Sequence, residues 1–242
     1  TIQLYKGQAI YGVGGGITWD STWESEYREV HQKAAVLYRK QARFKLITTG
    51  KISQKSLLFE DQHLERLTKA SRYFAYPFDP EELRQKIELE CQACDSHQDY
   101  RLRISLSKSG EMKLSRQILT PLSPSFCKAK LCLQEADLKQ AFTYFKTTHR
   151  PHLSLGKQEI IYHNAAGELL ETSIGNLVLK IAGKLYTPPT SLGILPGIYR
   201  QHLLETGQVE EKVLTLKDLA QAEDIYGCNA VRGMYELLLK EK

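Results

Sequence analysis

The hydrophobic period of the chain changes at Arg43, and beyond that point strand and helix signals alternate in an order that few folds can hold. Upstream, Trp23, Tyr27, Val30, Ala34 and Leu37 recur at helical spacing. Downstream, "RFKLITTGKI" alternates like a half-buried strand. "FEDQHLERLTKASRYFAYPF" then reads as a helix with Leu64, Leu67, Ser71 and Phe74 on one face and Pro77 beyond its end. A second helix follows in "DPEELRQKIELECQAC", with Leu83, Ile87, Cys91 and Cys94 inward. "YRLRISLSKSGEMKLSRQI" reads as a hairpin turning at Ser109-Gly110, with Leu102, Ile104 and Leu106 on one face and Arg101, Arg103 and Ser105 on the other.

"TPLSPS" at 120–125 punctuates the chain like a linker. Short strands are expected around Lys130–Leu133 and Ile160–Tyr162, with a turn over Asn164 to Gly167. "ELLETSIGNLVLKIAGKLYTPP" reads as three strands. Pro196-Gly197 opens a helix that ends near Gly207, and Thr215 with Asp218 opens a shorter one. "DIYGCN" predicts a buried strand, followed by a final helical run. The pattern predicts a two-domain α/β (α+β) chain. Its parts are an N-terminal segment 1–40, a small α/β domain 41–120, a linker 121–126 and a larger domain 127–242.

Composition removes several function classes. The 242 residues carry a net charge of +5 with basic residues scattered, which fits small anions and not a nucleic-acid track. No apolar run approaches a membrane span, and no signal-peptide pattern opens the sequence. The five cysteines are irregularly spaced, so a disulfide scaffold is not expected, and a cytoplasmic, reducing compartment is. Cys91 and Cys94, with His97, have metal-like spacing but lie on an apolar helix face and lack a second pair; no metal site is expected. His149 and His152 read as loop histidines.

The segment "YGVGGGITWDSTWESEYREVHQKAA" tests a different idea. A phosphate loop needs its last glycine at the mouth of a helix. Here Gly14, Gly15 and Gly16 lead into "ITW", which is strand-like, and the helix opens later, at the capping-box spacing of Ser21 and Glu24. Glu26, Glu29 and Lys33 then share a stripe, which by itself reads as a solvated face with a Glu29–Lys33 pair. The segment closely resembles the C-terminal motif of chorismate-utilising synthases. In that family the glutamates matching Glu26 and Glu29 sit at the magnesium–chorismate site. The resemblance stops near residue 40, so residues 1–40 look like a remnant of such a synthase without chorismate chemistry of its own, and without the carboxylates that complete a magnesium shell.

From Arg43 to Glu236, "HLERL", "FKTTHR", "ETSIGN", "LYTPP…GILPGIYR" and "DIYGCNAVRG" occur in the order found in class IV pyridoxal-phosphate enzymes. That family holds branched-chain and D-amino acid aminotransferases and aminodeoxychorismate lyases. The resemblance implies the class IV, D-amino acid aminotransferase-like fold and pyridoxal 5'-phosphate as cofactor. It matches Lys146 to the Schiff-base lysine, Glu171 to the acid at the pyridine nitrogen, and Arg66 to the phosphate-binding arginine. Taken alone, Lys146 and Arg66 read as surface charges and Glu171 as a loop carboxylate. The backbone N–H groups of Ile198 and Tyr199 would complete the phosphate cup at a helix start, together with the turn at Asn229 and Ala230.

Thr48-Thr49 replaces the glutamate–threonine pair usual in the aminotransferases. The resemblance puts Thr48 beside the departing pyruvyl group of a lyase, and Arg103 and Arg232 at substrate carboxylates. It thus implies a small anionic substrate, 4-amino-4-deoxychorismate, converted to 4-aminobenzoate and pyruvate. An aminotransferase acting on D- or branched-chain amino acids is the alternative, and a non-catalytic fragment packing on a synthase domain a further one. A homodimer is implied, and a synthase domain or glutamine amidotransferase subunit would be the native partner. The order of segments, synthase tail then class IV body, is what a cut through a synthase–lyase fusion would leave.

Overall fold

A computed structural model describes residues 2–38, 42–134, 141–154 and 156–239. The chain divides into two compact units, Thr1–Arg43 and Phe44–Lys242. The boundary expected at residues 40 and 41 falls outside the described residues.

In the first unit, strands β1 (Ile2–Tyr5) and β2 (Gln8–Tyr11) form a hairpin that the sequence reading did not anticipate. Its two-residue turn, Lys6-Gly7, has positive φ at both positions, which matches the twist of the strands. Ile17 to Trp19, expected as a strand, has no ladder partner and no regular structure; Trp19 is fully exposed. Helix α1 (Trp23–Tyr38) is capped one residue later than expected. Thr22 Oγ1 accepts from Ser25 N at 3.3 Å and Ser25 Oγ from Thr22 N at 3.2 Å, while Ser21 Oγ donates to Glu26 Oε1. Part of the apolar stripe of α1 is exposed, Trp23 at 71% and Tyr27 at 58%, while Val30 and Ala34 are partly buried. Lys33 pairs with Glu29 at 2.5 Å and donates to the Gly14 carbonyl at 2.9 Å, tying the glycine run to the helix.

The second unit holds two sheets. The smaller has the order β4-β3-β5-β6, with β3 (Leu46–Ser53), β4 (Ser56–Leu57), β5 (Tyr100–Leu106) and β6 (Met112–Ile118), all antiparallel. Helices α2 (Glu60–Phe74) and α3 (Pro80–Gln92) cover one face. Asp79 caps α3 by accepting from Glu81 N at 2.9 Å, and Pro80 supplies the preset φ of the first turn. Side chains alternate across the sheet. Leu46, Ile52, Leu102, Ile104 and Leu106 enter the core with Leu64, Leu67, Leu83 and Ile87, so their neighbours face the other way. Cys91 and Cys94 pack in this core, and no group of metal ligands occurs among the described residues.

The larger sheet runs β12-β11-β10-β13-β14-β7-β8-β9, and β9 also pairs with β10, which draws the sheet back on itself. Its strands are β7 (Lys128–Leu133), β8 (Ile160–His163), β9 (Leu169–Thr172), β10 (Asn176–Ile181), β11 (Lys184–Thr187), β12 (Glu210–Glu211), β13 (Asp224–Asn229) and β14 (Gly233–Leu239). Helices α4 (Ala141–Tyr144), α5 (Ile198–Glu205) and α6 (Leu216–Gln221) complete the unit, with a full Thr215–Asp218 capping box on α6.

The expected final helix is instead strand β14. Asn229 Oδ1 accepts from the N–H groups of Val231 and Arg232, both at 2.9 Å, and Gly233 takes φ 68°. The turn therefore folds the chain straight back onto β13, and the ladder overrides the helical spacing of Met234 to Leu239.

Candidate functional site

A cavity of about 510 Å³ lies within the second unit, walled by β3 and β5 on one side and by the segments at Lys146 and Gly197 and the strand ends at Glu171 and Asn229 on the others. Lys146 reaches it from a segment held like an extra strand. Ile47 N donates to the Lys146 carbonyl at 2.9 Å, and Thr148 N donates to the Lys45 carbonyl at 2.9 Å. Phe145 packs its ring on Tyr73 at 4.6 Å and on Phe74 at 5.3 Å, so the residue before the lysine is anchored to the end of α2.

Burial holds the Lys146 ammonium down to about 7, and the nearby charges of Arg66, Arg150 and Arg103 push the same way, against the opposing pull of Glu171. The amine is therefore substantially neutral near pH 7, the state in which it can act as nucleophile or base.

Glu171, at the inner end of β9, is 2% exposed. Burial pushes its carboxyl up, while Arg150, whose Nη2 donates to Oε1 at 2.9 Å, pulls it back. Behind it, fully buried Glu159 accepts from Ser173 N at 2.9 Å, from the Ser173 hydroxyl, and from Tyr235 Oη at 2.9 Å. These bonds fix the turn that follows Glu171.

Arg66 and the start of α5 form a cationic corner. Arg66 Nη2 donates to the Pro196 carbonyl at 2.6 Å. Burial, then Arg150, lowers its guanidinium to about 10. The residue before α5 is Gly197, and a Cβ there would meet Asn176 Oδ1 at 1.9 Å, so no side chain can stand at that cap. The first N–H groups of α5, at Ile198 and Tyr199, have no intrahelical acceptor. Ile198 lines the cavity, whereas the Tyr199 ring turns away to Phe59 and His202. Asn229 and Ala230 line the adjoining wall.

The structure thus brings Lys146, Arg66, Glu171, Ile198, Asn229, Ala230, Arg103 and Arg232 to one cavity. It does not bring Thr48. That side chain is fully buried on the core face of β3, where Oγ1 makes a 2.6 Å hydrogen bond with His63 Nδ1. Thr49 lines the cavity instead. The reason is strand parity. Arg103 pairs in register with Thr49, so those two share a face, and Thr48 shares the opposite one with Ile104. The alternation in the hairpin already held this information.

Arg150, Arg101, His63 and Glu159 were not singled out by sequence reasoning. Arg150 and Arg101 line the cavity; His63, one turn before Arg66, is held down to about 3 by burial, Arg66 and Lys146 and stays neutral. Arg150 sits between two histidines in a stretch with no periodicity, so nothing local aimed it at Glu171.

Comparison with known proteins bears on the whole chain. Residues 45–237 match the family described as amino-transferase class IV, and residues 1–39 match the family described as chorismate binding enzyme. An aminodeoxychorismate lyase of Saccharomyces cerevisiae is 29% identical over 128 residues, covering 42% of this chain and 34% of that protein. The chain spans about a third of the length of three of the curated relatives it matches. A structure of a putative amino-acid aminotransferase from Mesorhizobium loti has a TM-score of 0.71 at 27% identity, covering 81% of this chain and all of that one. A pyridoxal-phosphate-bound hypothetical aminotransferase from Mycobacterium tuberculosis has a TM-score of 0.67 at 19% identity, covering 81% of each chain.

Class IV enzymes depend on pyridoxal phosphate, and the residues present suit it. The cavity offers one amine kept near neutrality, a buried carboxylate with its own cation, and a guanidinium beside a side-chain-free helix start. Lys146 would carry the cofactor, Glu171 would face its ring nitrogen, and Arg66 with the N–H groups of Ile198 and Tyr199 would hold its phosphate.

Proposed function

The chain belongs to the aminotransferase class IV family, and we propose that within it the protein acts as a 4-amino-4-deoxychorismate lyase, yielding 4-aminobenzoate and pyruvate. The observation that carries this reading is the pairing of segments. A stretch of chorismate-binding sequence, residues 1–39, runs directly into the class IV body, and a chorismate-derived amine is the substrate that links the two. Similarity to the yeast lyase supports the same choice.

When bound, pyridoxal phosphate withdraws electrons from the carbon that bears the substrate amine. The chain's own residues do the rest. Neutral Lys146 takes the proton from that carbon. Glu171, whose carboxyl is raised by burial and pulled back by Arg150, would hold a proton on the ring nitrogen. Arg66 and the α5 start anchor the phosphate end. Thr49, in place of Thr48, presents a hydroxyl to the cavity on the same β-sheet face as Arg103, where it can donate to the departing enolpyruvyl oxygen. Loss of that group breaks a C–O bond and leaves an aromatic ring, which supplies much of the driving force.

The test is direct. The cofactor-loaded protein is given 4-amino-4-deoxychorismate, and 4-aminobenzoate and pyruvate are measured. Equal amounts of both support the lyase. Amino-group transfer from a D- or branched-chain amino acid to a keto acid, with no 4-aminobenzoate, would replace it with an aminotransferase. Neither activity in cofactor-saturated protein would leave a non-catalytic fragment.

A further inference from the structure

Among the described residues, five arginines line the cavity: Arg66, Arg101, Arg103, Arg150 and Arg232. Two have defined partners, Arg66 at the Pro196 carbonyl and Arg150 at Glu171. Among the described residues, the other three have no carboxylate within ion-pairing distance, although the chain forms such pairs readily elsewhere. They are also close to one another. Arg101 lowers the guanidinium pKa of both Arg103 and Arg232, in each case second only to burial.

Among the described residues no acidic side chain forms an ion pair with any of the three. Across the β3–β5 ladder Arg101 faces Lys51, itself a cation already paired with Asp99 at 3.1 Å; across β5–β6 it faces Gln117. Arg232 Nη1 donates to the Thr120 carbonyl, which holds the guanidinium against the linker. Three like charges kept together without counter-charge destabilise the fold, and an anionic ligand relieves that repulsion. Depth separates them as well. Arg103 is half-buried on the wall, whereas Arg101, two residues earlier on the same face of β5, is exposed at the rim.

We propose that Arg101 is a specificity-determining residue that, with Arg232, forms a second carboxylate site at the rim, apart from Arg103 on the wall, and so selects amines bearing two carboxylates over those bearing one. The proposal deepens the lyase reading, whose substrate carries two carboxylates, and rests on its use of this cavity. Guanidinium forks suit carboxylates because both N–H groups and both oxygens lie in one plane.

The experiment compares two unreactive probes on the cofactor-loaded protein, benzoate and benzene-1,3-dicarboxylate, by calorimetry or by the change in cofactor absorbance. Wild type should bind the dicarboxylate at least about tenfold more tightly. Arg101→Gln should remove most of that preference, leave benzoate affinity unchanged, and leave the melting temperature equal or slightly higher, since Arg101 is exposed and repelled. Arg101→Lys should keep part of the preference. A wild type without preference, or an Arg101→Gln variant that weakens both probes equally, overturns the proposal. A protein that shows the preference but makes no 4-aminobenzoate leaves it standing and sinks the lyase reading instead.

Discussion

The inner end of the cavity and its rim carry similar charge but dispose of it differently. At the inner end, Glu171 has Arg150, Arg66 has the Pro196 carbonyl, and Lys146 gives up its charge near neutral pH. On the wall and at the rim, Arg103 and then Arg101 with Arg232 have no carboxylate partner among the described residues. The inner end is pre-organised for a group that stays. The rim is completed only by a ligand that comes and goes.

The sharpest break falls on the inner end. Among the described residues Lys146 is the one lysine lining the cavity, so Lys146→Ala should lower turnover about ten-thousandfold. In wild type, borohydride reduction of the cofactor-loaded protein followed by peptide mapping should tag Lys146. A tag elsewhere would remove it from its role.

Next is the Glu171–Arg150 pair. Arg150→Met leaves a buried carboxylate without its cation, which should cost about 3 kcal/mol of apo-protein stability in denaturant titration. Burial already raises the Glu171 pKa and Arg150 opposes it, so the variant's carboxylate protonates at higher pH. Its activity should therefore fail sooner as pH is lowered. An unchanged acid limb would show that Arg150 does not govern Glu171.

Lys146 itself gives a third contrast. Its folded pKa, about 7, lies below the ordinary 10.5, so the unfolded chain binds more protons between those values and stability rises with pH there. The penalty is complete below about pH 7. Apo Lys146→Met should be more stable than wild type by about 2 kcal/mol at pH 6, after discounting for the half-buried chain, and the gain should fade as pH nears 10.5. A pH-independent difference would contradict the burial of the charge.

The two threonines sharpen the comparison further. Thr48→Val removes the hydroxyl bonded to His63 and should cost about 1–2 kcal/mol in thermal unfolding, with turnover per folded molecule nearly unchanged. Thr49→Val should do the reverse, with stability kept and 4-aminobenzoate formation reduced about tenfold. The opposite result would put Thr48 back in the cavity. The smallest effect belongs to the first unit. Glu26→Gln with Glu29→Gln breaks an exposed i, i+4 pair worth a few tenths of a kcal/mol and should leave lyase kinetics untouched. Magnesium-dependent turnover of chorismate by the wild type would reverse that view.

How far the sequence alone reaches depends on how local the deciding interaction is. The strands at Leu46–Ser53 and Tyr100–Leu106, the helices with Pro80 and Thr215 at their starts, and the α5 opening at Pro196-Gly197 were legible because alternation, capping and φ restriction act over a few residues. The ordered motifs likewise marked Lys146, Arg66 and Glu171, and each now lines one cavity. Tertiary structure decided the rest. Gly233 and a ladder to β13 turned an expected helix into β14. Strand register chose Thr49 over Thr48. Residues 21 positions apart, Arg150 and Glu171, became an ion pair because β9 and the lysine loop converge. These outcomes depend on partners far along the chain, and their energies exist only once the sheets have closed around the cavity.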